Sequence, residues 1–204
     1  MHYNRSGIGY DHLNSSGFGT LKVSPQVAAH KQFVRQMTVV WYGSFPLGPL
    51  DTSNVGLFAM WNSGPFLLWF NVDTAMRFRT ITAAGNSEVI SSVDVSSATS
   101  PEVMHCFIGT YDGTITRFYH NGEEVGTEST TSTLTTGSNT ILINEYQNNT
   151  EIAALNNLAM FHNKVWSARQ VRDFQVDQYG FLRKDRLIGR VAAAAAARRI
   201  MLIN

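Results

Sequence analysis

Apolar and polar residues alternate along much of this chain with a period of two, which predicts β-strands that each bury one face. Phe33–Tyr42 shows the pattern well, with Met37, Val39 and Trp41 on one face. Four further strands and a polar loop are predicted before residue 104. The strands are Val55–Trp61, Phe66–Asn71, Ala75–Ile81 and Val89–Val95, and the loop is Ser96–Pro101.

One of these strands, Ala75–Ile81, carries charge on alternate positions. Met76, Phe78 and Thr80 oppose Arg77, Arg79 and Ile81. One face of this strand is therefore predicted to be wet, as in an antiparallel sheet with a solvated side.

The clearest local signal is Met104–Val125, which reads MHCFIGTYDGTITRFYHNGEEV. Two strand-like runs are joined by Asp112-Gly113, and the second run ends at Asn121-Gly122. Both dipeptides tolerate the positive φ angles that a tight hairpin turn requires. Two successive β-turns are therefore predicted.

Shorter elements follow the hairpin. A Ser/Thr-rich loop is predicted at Thr127–Thr136, and strands at Thr140–Asn144 and Leu158–His162. Ser167 with Gln170 three residues later forms a capping box. This pair predicts a short helix that continues to about Phe174.

The order and chemistry of these elements resemble the laminin-G and pentraxin-like branch of the concanavalin A-like jelly rolls. In that group, a strand of the form His-x-x-x-Gly-Thr-Tyr-Asp-Gly leads into one that ends Tyr-x-Asn-Gly, as residues 105–113 and 119–122 do here. The family's last strand is followed by x-Asn-x-x-Leu-Ser and one short helix, and here Trp166 replaces the leucine.

This resemblance covers residues 33–176 and implies the architecture. The expected fold is all-β, an antiparallel jelly-roll β-sandwich of the concanavalin A-like type with one short helix and a C-terminal arm. Residues 1–32 are expected to form an N-terminal arm or irregular first strands, and residues 177–204 the C-terminal arm.

Composition agrees with one β domain. Hydrophobic residues make up 44% of the chain, enough for a packed core, and charged residues only 15%. The single cysteine, Cys106, cannot form an internal disulfide and is predicted to be a small buried side chain. Neither Met1–Tyr10 nor the turn-interrupted apolar stretch Gly56–Phe70 has the pattern of a signal peptide or a membrane span, so neither is expected.

Charge is partitioned along the chain. Residues 180–204 hold six basic side chains and one acidic one, whereas the rest of the chain holds ten basic and fourteen acidic side chains. Six consecutive alanines at 192–197 favour a helix over about 185–200. An extended arm pressed against a partner is the alternative.

The basic tail has several interpretations. Nucleic-acid binding would use its charge, but no aromatic residues alternate with the arginines. The alanines offer little bulky apolar surface for a membrane. A disordered tail is disfavoured by the apolar run Ile200–Ile203. We favour an assembly arm whose partner-binding residues are Arg183, Lys184, Arg186, Arg190, Arg198, Arg199, Ile200 and Leu202.

The common catalytic patterns are missing from the sequence. There is no Glu-x-Asp-x-x-Glu run of the kind that sugar hydrolases of this fold need, and Glu123 and Glu124 point to opposite faces. There is no H-x-x-x-H, G-x-S-x-G or phosphate-binding loop. His105 and His120 are predicted to form a hydrogen-bonded structural pair, with zinc as the alternative. The protein is predicted not to be an enzyme.

Sugar binding is the commonest non-catalytic task of the family it resembles. Lectins of this fold use loop Asp and Asn side chains, often around calcium, with an aromatic ring that stacks on the sugar. The candidate glycan or calcium ligands here are Tyr111, Asp112 and Asn121, with Trp61 or Trp69 as further rings. The turns need Asp112 and Asn121 for local reasons as well, and we favour that interpretation. No cofactor other than this calcium is considered.

The resemblance extends to laminin-G-like proteins of bacteriophage virions, where terminal segments lock a jelly-roll body to other subunits. The predicted function is therefore a non-enzymatic virion structural protein, such as a phage capsid decoration or tail component. Its expected partners are capsid or tail subunits and further copies of itself, without membrane or nucleic acid. The alternative is a carbohydrate-binding, lectin-like module for host attachment, and a third hypothesis is a glycan-processing enzyme.

Overall fold

The computed structural model describes residues 21–23, 35–45, 55–60, 64–70, 75–94, 100–135, 141–143, 145–146, 150–151 and 154–180. These residues form thirteen strands and one helix. In chain order they are β1 (Leu21–Val23), β2 (Met37–Phe45), β3 (Val55–Met60), β4 (Phe66–Phe70), β5 (Ala75–Thr82), β6 (Gly85–Asp94), β7 (Ser100–Tyr111), β8 (Ile115–His120), β9 (Glu123–Ser129), β10 (Ile141–Ile143), β11 (Glu145–Tyr146), β12 (Thr150–Glu151), β13 (Leu155–His162) and α1 (Ala168–Val176).

Two antiparallel sheets make up the body. The first has six strands in the order β1-β10-β3-β4-β5-β6, and the second has five in the order β13-β2-β7-β8-β9. Strands β11 and β12 pair separately. The predicted antiparallel jelly-roll sandwich is confirmed.

The main core lies between the two sheets and is rich in aromatic residues. Aromatic rings from the two sheets meet in pairs with centroids 6.1–6.4 Å apart, a spacing at which aromatic contacts are favourable. The pairs that cross between the sheets include Phe78–Phe118, Phe45–Phe70, Phe58–Phe161 and Phe66–Phe161.

Strand β2 is buried on both faces. Met37, Val39 and Trp41 point into the main core, as the alternation predicts. Val40, on the other face, belongs to a second apolar cluster under α1. A central strand of a covered sheet has this double burial.

Helix α1 covers the outer face of the five-stranded sheet. Val171 and Phe174 are its buried residues, and they pack in the same cluster as Cys106. Its N-terminus carries the predicted capping box, in which the Gln170 backbone N–H donates to Ser167 Oγ at 3.3 Å and the Ser167 N–H donates to Gln170 Oε1 at 2.9 Å.

The prediction of a buried Cys106 is confirmed. Its side chain is inaccessible to solvent, and burial raises the pKa of the thiol to about 12. The cysteine therefore stays a neutral, unreactive apolar side chain at physiological pH.

The two turns of the hairpin are confirmed. Gly113 has φ +100°, and Asn121 and Gly122 have φ +49° and +88°. The two consecutive positive values at Asn121-Gly122 are those that the tight turn between β8 and β9 requires. The Asn121 side-chain oxygen also accepts the Cys106 backbone N–H at 2.8 Å.

Three strands extend further than predicted. Their additional residues are polar, so the hydrophobic pattern of the sequence does not reveal them. β7 begins at Ser100, inside the predicted loop Ser96–Pro101, where Ser100 pairs with Phe45 of β2. β9 continues to Ser129, inside the predicted loop Thr127–Thr136, and its residues are mostly exposed. β6 begins at Gly85, and its inward Ser87 hydrogen-bonds Thr116 of β8 at 3.0 Å. Edge strands and internal hydroxyl pairs of this kind leave no apolar alternation in the sequence.

Some predictions concern residues outside the described part of the chain. Leu21–Val23 forms an edge strand with β10, but the rest of residues 1–32 is not described. The helix predicted at about 185–200 and the partner-binding residues on the arm also lie outside it, as does Trp61. In the described residues, no helix is long and apolar enough to cross a membrane.

Candidate functional site

The Asp112 carboxylate, a predicted glycan or calcium ligand, closes the turn between β7 and β8. Its Oδ1 accepts the backbone N–H of Thr114 at 2.9 Å and of Ile115 at 2.8 Å, and the Thr114 hydroxyl at 2.7 Å. Its Oδ2 accepts from Arg117 at 2.6 Å. Burial alone would raise the pKa of Asp112, but these hydrogen bonds outweigh it and hold the pKa well below its usual range.

The two other predicted ligands also have structural partners. Tyr111 is fully buried, and its hydroxyl oxygen lies 2.8 Å from the carbonyl oxygens of both Thr130 and Ser132, either of which can accept its one hydrogen. Its ring therefore presents no face to a sugar in this conformation. Asn121 is bound to Cys106, as described above.

These ligands do not form one site. Tyr111 and Asp112 precede β8 and Asn121 follows it, and a six-residue strand spans about 20 Å. No group of three or more His, Cys, Asp or Glu side chains that would hold a metal ion occurs among the described residues. Glycan or calcium binding at these three residues remains a prediction.

The predicted histidine pair is present. His105 Nδ1 and His120 Nε2 are 3.0 Å apart, and the two rings are nearly parallel with centroids 5.3 Å apart. His120 also stacks on Phe107 at 4.8 Å. Burial, followed by the proximity of His105, lowers the pKa of His120 to about 4.

A different group of polar side chains lies on the six-stranded sheet, on the face turned away from the core. Trp69 of β4 is directly opposite Arg77 of β5, and Arg79 of β5 is directly opposite Glu88 of β6. The alternate residues of these strands, including Phe78, fill the core. We call Trp69, Arg77, Arg79 and Glu88 the arginine–tryptophan cluster.

Glu88 is the centre of this cluster. Its Oε2 accepts from Trp69 Nε1 at 2.9 Å and from Arg79 Nε at 2.8 Å, and its Oε1 accepts from an Arg77 terminal nitrogen at 3.4 Å. Both guanidinium groups lie over the indole ring, Arg79 at 4.9 Å and Arg77 at 5.5 Å from its centroid. Charge, hydrogen bonding and cation–π contact together fix the two arginines.

Trp69 supports the cluster from below. It is only 5% exposed, and it also belongs to an apolar cluster with Ala59, Leu67 and Leu142 on the same sheet. Its ring therefore orients the guanidinium groups and does not itself form a free stacking surface.

Arg79 keeps binding capacity after these contacts. Only its Nε is hydrogen-bonded within the part of the chain that the structure describes, and its side chain is 25% exposed. The two terminal amino groups are therefore available as a fork of donors. Such a fork binds carboxylates and the oxygen pairs of sugars in a planar, two-point geometry.

Only part of this cluster is predictable from the sequence. The sequence predicts Trp69 as a candidate stacking ring and places Arg77 and Arg79 on a solvated strand face. It assigns no role to Glu88. The Arg77/Arg79 alternation next to a Trp-containing strand was an available signal. Locating Glu88 required the register of the β5–β6 hairpin, whose Gly85 has φ +128°.

Comparisons with known proteins agree with this architecture. The sequence profile described as the concanavalin A-like lectin/glucanases superfamily matches residues 47–172. No curated protein matches the chain in sequence.

Several solved structures share the fold. The CBM40 of Ruminococcus gnavus IT-sialidase bound to α2,6 sialyllactose is 13% identical with a TM-score of 0.58, over 82% of this chain and 96% of that one. The SAP-like pentraxin of Limulus polyphemus is 14% identical with a TM-score of 0.55, over 82% and 80% of the two chains. The binding domain of botulinum neurotoxin DC in complex with SialylT is 9% identical with a TM-score of 0.60, over 83% and 44%.

At these identities the structural likeness establishes the fold alone. The chain spans less than half the length of the toxin binding domains that it matches.

Proposed function

We propose, from the premise that this chain belongs to the concanavalin A-like lectin/glucanases superfamily, that it is a non-catalytic, lectin-like module that binds glycans. The observation that carries the proposal is the arginine–tryptophan cluster, in which Arg79 is fixed by Trp69 and Glu88 and retains two free donors. Rigid strands hold this cluster, as a preorganised binding site requires.

The cluster and its surroundings offer the polar and apolar contacts that a sugar ring makes in a binding site. Planar polar side chains supply the paired hydrogen bonds that sugar hydroxyl and carboxyl groups accept. Ile90 lies on the same face of β6 as Glu88, directly opposite Arg77, and is 50% exposed. An apolar side chain beside a donor fork matches the C–H face and the polar rim of a sugar ring.

The structural neighbours support the same proposal. The Ruminococcus gnavus domain is bound to sialyllactose and the neurotoxin DC binding domain to SialylT, and cell entry of botulinum neurotoxin type C depends on interaction with two ganglioside molecules. These structural neighbours favour the lectin alternative over the predicted virion role. The virion role, with capsid or tail subunits as partners, remains a prediction. Its proposed contacts are residues of the C-terminal arm, which lie outside the described part of the chain.

A glycan array with labelled full-length protein tests the proposal. We expect binding to a defined subset of glycans, and we expect Arg79→Gln to abolish it. Arg169→Gln is the matched control because Arg169 lies on α1 with its side chain 87% exposed. This control removes the same charge from a distant surface and should leave binding unchanged.

The outcomes separate clearly. Binding that both variants retain would place the glycan site elsewhere, and the turn residues Asp112 and Asn121 would be tested next. Failure of the wild-type protein to bind any glycan would overturn the proposed function. Release of sugar from any array glycan would overturn the non-catalytic part.

A further inference from the structure

We infer that the ligands of this site are glycans that carry a carboxylate, with Arg79 as the group that binds the carboxylate. This inference rests on the proposed function and narrows it to one chemical class. The inference rests on the position of the Arg79 guanidinium. Its Nε is bound to the Glu88 carboxylate, whereas its two terminal amino groups are free to bind a ligand.

The hydrogen-bond geometry selects a planar, charged acceptor. Glu88 Oε2 accepts from Arg79 Nε at 2.8 Å, so it takes the side edge of the guanidinium. The remaining end carries two parallel N–H donors. Two parallel donors match the two oxygens of a carboxylate, and such charge-assisted pairs are about twice as strong as neutral hydrogen bonds.

The two arginine charges of the cluster are partly withdrawn from solvent. Arg77 and Arg79 both pair with the Glu88 carboxylate, Arg77 at 3.4 Å and Arg79 at 2.8 Å. A second carboxylate, that of Glu128, accepts the Glu88 backbone N–H at 2.5 Å. Because Arg77 is only 12% exposed and Arg79 25%, their charge is less screened than that of a fully exposed arginine.

The position of the guanidinium is fixed before any ligand arrives. The indole of Trp69 lies 4.9 Å from Arg79 on one side, and the Nε hydrogen bond stops rotation in the plane. Little side-chain freedom is then lost on binding, which favours affinity. A lysine at this position would supply charge without the fork or the stacking.

Isothermal titration calorimetry with matched ligands tests the inference without any mutation. The probes are lactose, α2,3- and α2,6-sialyllactose, the methyl ester of each sialyllactose, and sulfated lactose. We expect the sialyllactoses to bind at least about ten-fold more tightly than lactose or the methyl esters, because only the free carboxylate pairs with Arg79.

Variants then assign the effect to Arg79. Arg79→Gln should remove the preference for the carboxylate, Arg79→Lys should retain only a small part of it, and Arg169→Gln should keep it. Circular dichroism and thermal unfolding of each variant show that it is folded. If Arg79→Gln does not fold, the loss of affinity on esterification still decides whether the carboxylate is recognised.

The possible results distinguish the two proposals. Equal affinity for lactose and sialyllactose would overturn this inference and leave glycan binding intact. Preference for sulfated over carboxylated lactose would also overturn it, since a tetrahedral anion would then be the ligand. A carboxylate preference that survives Arg79→Gln would refute the assignment to Arg79, and no binding to any probe or array glycan would refute both proposals.

Discussion

At the scale of single residues, Asp112 stabilises the hairpin turn through four hydrogen bonds. Asp112→Ala removes acceptors for two backbone N–H groups, the Thr114 hydroxyl and Arg117. We expect the free energy of unfolding to fall by about 1–2 kcal/mol, measured by urea denaturation.

Asp173→Ala is the control for this prediction. Asp173 lies on the exposed side of α1 and meets Arg169 at 3.9 Å, so its loss should change stability by less than about 0.5 kcal/mol. Loss of a calcium-dependent glycan affinity in Asp112→Ala, without loss of stability, would instead support a ligand role for this residue.

Gly109 lies under an aromatic ring and leaves no room for a side chain. A Cβ atom placed there would lie within 2.4 Å of three ring atoms of Phe78. Phe78 is fully buried and packs on Phe118, so it cannot move away. We expect Gly109→Ala to lower the free energy of unfolding by about 1–3 kcal/mol.

A double-mutant cycle checks this steric explanation. Because Phe78→Leu shortens the side chain over Gly109, the penalty of Gly109→Ala should be smaller in the Phe78→Leu background. An equal penalty in both backgrounds would refute the proposed clash.

At the scale of elements, the histidine pair joins β7 and β8 and makes their pairing sensitive to acid. His120 has a pKa of about 4 in the folded protein against 6.5 for a free histidine. The unfolded chain therefore binds more protons between these values. Stability should be full above about pH 6.5 and fall toward pH 4, by at most about 1.4 kcal/mol per pH unit.

Urea denaturation at about pH 7 and about pH 5 measures this slope. His120→Gln should reduce the difference in stability between the two pH values. His162→Gln is the control, since His162 is exposed at the end of β13. A pH slope unchanged in His120→Gln would show that other groups cause it.

Elements whose signals are local were predictable from the sequence. The turns depend on Asp112-Gly113 and Asn121-Gly122, and the helix start depends on its capping box, so a few adjacent residues specify them. The polar ends of β6, β7 and β9 were missed because pairing with a neighbouring strand, and not apolar burial, defines them.

The candidate site was harder to predict than the fold. Glu88 meets Trp69 and Arg79 only because β4, β5 and β6 are adjacent and in one particular register. Gly109 poses the same difficulty, since the ring that excludes a side chain comes from the opposite sheet. Neither arrangement follows from residues that are near in sequence.

At the scale of the whole molecule, the charge partition predicts assembly through the arm. Residues 180–204 are basic, whereas the rest of the chain is mildly acidic. We expect the full-length protein to form an oligomer and a 1–181 truncation to be a folded monomer. Size-exclusion chromatography with light scattering measures both masses, and two monomers of equal stability would contradict the assembly arm.

The position of β2 inside its sheet, between β13 and β7, has a consequence for synthesis of the protein. β2 ends at Phe45, but its partner β13 begins at Leu155, about 110 residues later in the chain. A ribosome that adds about 5–20 residues per second needs roughly 5–20 s to cover that interval. During this time one edge of β2, which is apolar on both faces, has no partner strand. We therefore expect the nascent chain to be most prone to aggregation before β13 is synthesised.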